Sequence, residues 1–109
     1  MINLTPHAIV IRRADGDWTL PPSGSLARVT MAEYDAPAID GVPVVTRQAG
    51  HVTGLVRDAA GLPVPCLVSA MVLAALPTGT PNVYAPDSGP TAIRNAAGQV
   101  VAVTRLVAA

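Results

Sequence analysis

The stretch Leu62–Leu76, LPVPCLVSAMVLAAL, is the longest uncharged apolar run in the chain and constrains the fold more than any other feature. It does not read as one element. Val64-Pro65-Cys66-Leu67-Val68 carries β-branched residues beside two prolines, a pattern that suits a short buried strand and would break a helix interior. Ala70–Leu76 is rich in Ala, Leu and Met, the strong helix formers, and stops at Pro77. Ser69, a preferred N-cap, stands between them. The run therefore predicts a strand, a serine cap and a helix of about two turns that is apolar on every face and belongs in a core. The amides that follow Ser69 would also favour an anion.

Short strands are predicted on either side. Ile2 and Leu4 share a face before the break at Thr5-Pro6, and Ala8–Ile11 returns to Asp17–Leu20 through an Asp15-Gly16 hairpin. Leu26–Met31 alternates as a third strand, and Ala32–Ile39 reads as a surface loop leading to the Asp40-Gly41 turn. Val42–Arg47 and His51–Leu55 read as two strands separated by Gln48-Ala49-Gly50. Beyond Pro77 the sequence TGTPNVYAPDSGP is too rich in proline and glycine for regular structure outside Asn82–Tyr84, and Gln99–Val107 reads as one long closing strand. The expected fold is α+β, a single domain over residues 1–109: a mainly antiparallel curved sheet or partial barrel with one short buried helix.

Charge and cysteine usage narrow the partners. Seven basic and seven acidic residues cancel without forming a run of either sign, so there is no electrostatic footprint for duplex nucleic acid or for an anionic membrane. With no Phe, and only Trp18, Tyr34 and Tyr84 as aromatics, platforms for single-stranded nucleic acid are scarce. Zero net charge on a chain that is half hydrophobic favours self-association, so a homo-oligomer is expected. Cys66 is the lone cysteine and sits in the apolar strand, where it reads as an inert core thiol in a cytoplasmic protein. MINLTPH lacks the pattern of a signal peptide, and the apolar run is too short to cross a bilayer.

Few residues carry chemistry. His7 and His51 are the side chains that exchange protons near neutral pH, and as a facing pair they would serve a metal-independent nuclease as base and acid. No metal-ligand spacing, nucleophile elbow or glycine-rich phosphate loop occurs, so no cofactor or metal is expected. The remaining constellation is Tyr84, Asp87, Ser88, Thr91 and Arg94 on a proline-stiffened loop, with Arg47 and Ser69 as neighbours. A rigid loop that offers an aromatic face, hydroxyls and a guanidinium suits a small polar or anionic ligand, because little ordering entropy is lost on binding. An ordinary surface loop whose Asp and Ser cap turns is the competing reading.

The segments INLTPHAIVI (2–11), LPPSGSLARV (20–29), GVPVV (41–45), GHVTGL (50–55), LVSAMVLAAL (67–76), VYAPDSGP (83–90) and IRNAAGQVVAVTRL (93–106) together cover most of the chain. In that order they resemble a family of small uncharacterised proteins of phages, prophages and bacteria. Where that family runs GLPEP, this chain has Gly54-Leu55-Val56-Arg57-Asp58. The resemblance implies a setting in which small proteins are structural parts, regulators or inhibitors of bacterial immunity, and it assigns no catalytic residue. The expected function is sequestration, without chemistry, of a nucleotide-like anionic ligand such as an immune second messenger. Arg47, Arg94 and Arg57 would meet phosphates in pockets between subunits, and Tyr84 would stack on a base. The alternatives are a nuclease that cleaves a cyclic oligonucleotide through His7 or His51, and a phage structural or accessory protein.

Overall fold

A computed structural model describes residues 1–109. The strands are β1 (Ile2–Asn3), β2 (Ile9–Arg13), β3 (Gly16–Leu20), β4 (Arg28–Ile39), β5 (Val42–Thr53) and β6 (Cys66–Leu67). Helix α1 (Ala70–Ala75) follows, then β7 (Val83–Pro86), β8 (Ile93–Arg94), β9 (Val100–Ala102) and β10 (Leu106–Ala108). The chain is mostly strand with one short helix. The strands form one four-stranded sheet, ordered β1-β6-β7-β10, and three two-stranded sheets, none of them closed into a barrel.

The apolar run is the centre of the head. Its strand half becomes β6, which is parallel to β1 on one side and to β7 on the other. Buried on both faces, Cys66, Leu67 and Val68 fill the interior, as a near-continuous hydrophobic run requires of a central parallel strand. Leu4, Cys66, Val68, Val72, Leu73, Val83 and Ala85 make one core cluster, and Ile11, Leu20, Leu67 and Val103 make a second. Ser69 caps α1 as expected, its hydroxyl accepting from the Val72 amide at 3.3 Å. The helix is buried on one side only: Val72 and Leu73 face the core while Met71 is 60% exposed. Six residues laid against a narrow sheet cover a single stripe, so the apolar residues of the other face stay in solvent.

A polar hub lies beside this core. Asn3 is buried, and its side chain donates to the His7 carbonyl at 2.8 Å and the Leu20 carbonyl at 3.0 Å. Its oxygen accepts from the Thr5 amide at 3.0 Å and the Thr5 hydroxyl at 2.6 Å. Four hydrogen bonds satisfy the amide and tie β1, the turn before β2 and the end of β3 together, so burial of these groups carries no unpaired polar atom.

Two segments differ from the sequence expectation. Ala32–Ile39 is strand, not loop, and Val42–Thr53 is one strand, not two: β4 and β5 pair antiparallel as a hairpin of 12-residue strands. Asp40 and Gly41 close it with φ of 50° and 74°, the positive values a two-residue type I′ turn needs. The Gln48-Ala49-Gly50 segment is absorbed by a bulge in the pairing between Val29 and Met31, where a Cβ at Gly50 would run into the Thr30 side chain. The second difference is that Gln99–Val107 breaks into β9 and β10, because the chain changes partner there. Val103 pairs with β2 through Val103 N to Val10 O at 2.9 Å and Arg12 N to Val103 O at 2.8 Å. β9 pairs with β8 before that point and β10 with β7 after it.

The hairpin gives the molecule its shape. A radius of gyration of 16.6 Å, with extents of 54 × 45 × 25 Å, exceeds the roughly 13 Å of a compact domain of this length. None of the buried residues lies between 28 and 53. β4 and β5 therefore form an arm attached to the head only at its base, where Val29 and Val52 pack on the first core cluster.

Candidate functional site

Of the loop constellation predicted from the sequence, Asp87, Ser88, Thr91 and Arg94 lie at one corner of the head, and Tyr84 does not join them. β7 ends at Pro86, and Asp87 turns the chain: its Oδ1 accepts from the Gly89 amide at 3.1 Å, and its other oxygen is ion-paired with Arg105. The Arg105 guanidinium, then the Gly89 amide, hold the Asp87 carboxyl below the usual carboxylate range. Arg94 in β8 donates from Nη1 to the Gly98 carbonyl at 2.8 Å and from Nη2 to the Ser88 carbonyl at 2.9 Å, stapling two turns. The Thr91 carbonyl accepts from the Thr104 hydroxyl at 3.2 Å. Two exposed guanidinia, Arg94 and Arg105, are thus braced from behind by carbonyls and a carboxylate, with part of each donor fork still unpartnered.

Clefts flank this corner on both sides. One, of about 450 Å³, is walled by Leu73, Ala74 and Leu76 near α1, by Ala85 and Val107, and by Asp87, Ser88 and Gly89 at its rim. The other, of about 140 Å³, lies among Ile9, Val10 and Val100–Val103. Pro86 and Ser88 border both. The cleft beside α1 is mostly apolar, with Thr78 and the Asp87–Gly89 rim as its polar lining, a composition expected of a small-molecule site.

The other predicted site residues lie elsewhere. Arg47 is in the middle of the arm, its Nε donating to Glu33 Oε1 at 2.8 Å, and it lines no cleft in the single chain. Ser69 lines a separate cleft of about 470 Å³ at the base of the arm, together with Arg28, Thr30, Thr53 and Met71. Tyr84 is half-buried and packs on the cluster of Ile11, Leu20, Leu67 and Val103, so much of its ring serves the core. Arg57 donates to the Gly61 carbonyl at 3.0 Å within its own turn. His7 lies in the turn before β2, outside any sheet, and His51 in β5 of the arm, so the two are on different parts of the chain's fold. Burial pushes the Cys66 thiol up, which keeps it protonated and unreactive.

Two arginines were missed by the sequence reading. Arg105 alternates with valines near the end of the chain, and nothing local in the sequence signals its pairing with Asp87, 18 residues earlier. Arg28 opens β4 and is the one arginine without an intrachain hydrogen bond or ion pair. No helix is long and apolar enough to cross a membrane. No family model, curated protein or solved structure matches this chain.

Proposed function

We propose that the protein is a homo-oligomeric binding protein that sequesters a small anionic ligand at the Ser88 corner, without chemistry. The observation that carries this reading is the pair of exposed guanidinia, Arg94 and Arg105, which line no cleft themselves but brace Ser88 and Asp87 at the rim of the 450 Å³ cleft. Two guanidinia against the one Asp87 carboxylate put an excess of positive side-chain charge behind the rim of an apolar cleft. An anion with an apolar or aromatic body, such as a nucleotide, matches that distribution. Thr91 and the Arg94–Ser88 staple hold the rim, and Arg47, Ser69 and Tyr84 contribute to a ligand only where a second copy completes the pocket. The resemblance to small phage-borne proteins supplies a setting, trapping of a nucleotide immune signal in a host cytoplasm.

The test is a thermal-shift screen against linear and cyclic nucleotides. A ligand at 100 times its Kd adds about 2.7 kcal/mol, on the order of 10 °C for a domain of this size. Arg94→Gln is expected to lose at least tenfold in affinity by calorimetry, and a bound nucleotide released by heat is expected intact. Absence of any shift across the screen would sink the ligand reading, and release of a linear product would move it to the nuclease reading, which needs His7 and His51 from different copies. The accessory-protein reading has its own support in the arm, whose length and exposure suit association more than ligand capture.

A further inference from the structure

We infer that the β4–β5 arm is a dimerisation device, and that its partner is the arm of a second copy, crossed antiparallel so that each tip seats in the cleft at the base of the other arm. The inference deepens the homo-oligomer of the proposed function but is tested without a ligand, since it uses none of the Ser88-corner residues.

The arm divides by strand alternation into two unlike faces. Met31, Glu33, Asp35, Val45, Arg47 and Ala49 share one, which carries all the charges of the arm's middle. Ala32, Tyr34 and Ala36 pair with Gln48, Thr46 and Val44 on the other, which has no charge at all and leaves Tyr34 56% exposed. The tip is apolar as well, with Ile39 64% and Val42 57% exposed. A two-stranded hairpin with no covered face is marginal in water, and a long arm with two free edges is a template for pairing. Something must cover it.

Charge selects the cover. Within the chain Glu33 is matched by Arg47, and three acids against two arginines give the arm no attraction for nucleic acid. Arg28 at the base has no intrachain partner, and among the acids Asp35 and Asp40, both in the distal half of the same arm, have none either. Arg28 and Asp40 cannot meet within one chain: the strand between them spans about 36 Å. Antiparallel crossing of two arms brings the tip of each to the base of the other, where Asp40 finds Arg28 and where Ile39 and Val42 find the exposed Met71 in a cleft of about 470 Å³. A net charge of zero leaves no repulsion between copies.

Area points the same way. Twelve residues extend about 40 Å and two strands with their side chains are about 10 Å wide, so one face offers on the order of 400 Å². That is half of the roughly 800 Å² each partner gives to a stable interface. Face-to-face contact of the arms alone is too small; the crossed arrangement adds a tip and a receiving cleft from each copy and reaches it.

Sedimentation equilibrium of the full chain without nucleotide tests this. The wild-type chain is expected to be dimeric at about 100 μM, and Ile39→Asp combined with Val42→Asp to weaken the dimer more than about 100-fold while leaving the thermal unfolding of the head in place. Arg28→Glu and Asp40→Lys are each expected to weaken it about tenfold, because the symmetric dimer contains the contact twice, and an equimolar mixture of the two variants is expected to recover most of the loss as a heterodimer. Lysine at a φ of 50° strains the turn, so the neutral pair Arg28→Gln and Asp40→Asn, which suits that φ, provides a second cycle whose coupling is intermolecular by distance. A wild-type chain that stays monomeric, a tip variant as associated as wild type, or a mixture no stronger than its components would overturn the proposal; the first would assign the arm to a different protein.

Discussion

The head and the arm are built from similar strands yet held by different forces. Every buried side chain lies in the head, where β6 is covered on both faces, while the 26 residues of the arm between Arg28 and Thr53 contribute none. The head is stabilised by area removed from water, and the arm by its hydrogen-bond ladder and cross-strand pairs such as Glu33–Arg47 and Tyr34–Thr46. Residues of the same type should therefore answer to different measurements, stability in the head and association in the arm.

The sharpest way to break this contrast is to shorten an aliphatic side chain in each region. Leu67 is fully buried at the junction of the two core clusters, and Leu67→Ala should cost about 2–5 kcal/mol through lost burial and the cavity left behind. Val45→Ala, on the exposed arm, should cost less than about 0.5 kcal/mol in the same urea titration. Equal shifts of the two denaturation midpoints would mean that the arm is folded down onto a core, and the division into head and arm would fail.

A smaller effect probes the seam between the regions. Ser69 caps α1 and also lines the cleft beneath the arm. Ser69→Ala leaves the Val72 amide without its acceptor and should cost about 1 kcal/mol in thermal or urea unfolding, with Ser69→Asp recovering most of it. If the hydroxyl instead served the arm, the alanine variant would leave head stability unchanged and alter only dimer strength.

The same contrast explains what the sequence disclosed and what it hid. Leu62–Leu76 could be divided into strand, cap and helix because burial, proline and serine all act locally there. The Asp40-Gly41 turn was legible for the same reason. Ala32–Ile39 was not, because its alternation of Ala32, Tyr34 and Ala36 with Glu33 and Asp35 is carried by small and amphipathic side chains with no core to face, and Pro37 adds a loop signal of its own. The burial of Asn3 and Thr5 was hidden as well, since the four hydrogen bonds that allow it depend on chain segments a local pattern cannot bring together. At the corner, the loop of Asp87, Ser88, Thr91 and Arg94 was recognisable from proline stiffening and residue type. Arg105 and Arg28 were not, because one is defined by a long-range pair and the other by the lack of one.

The corner also yields the smallest and most conditional effect. Asp87 has its carboxyl pulled below the ordinary range by Arg105 first and the Gly89 amide second, so the ionised form is favoured by folding. Its contribution is fully present above the unfolded carboxyl pKa of about 3.9 and is lost as pH falls through the lower folded value. Asp87→Asn removes the ion pair at neutral pH, so the variant should be less stable than wild type near pH 7. Below about pH 4 the difference should narrow, as the wild-type carboxyl takes up its proton. Thermal unfolding of both proteins between pH 7 and about pH 2 checks this. A gap that stays constant across that range would mean that Asp87 supports the turn through packing and not through its charge. The bracing of Arg105 would then need another cause.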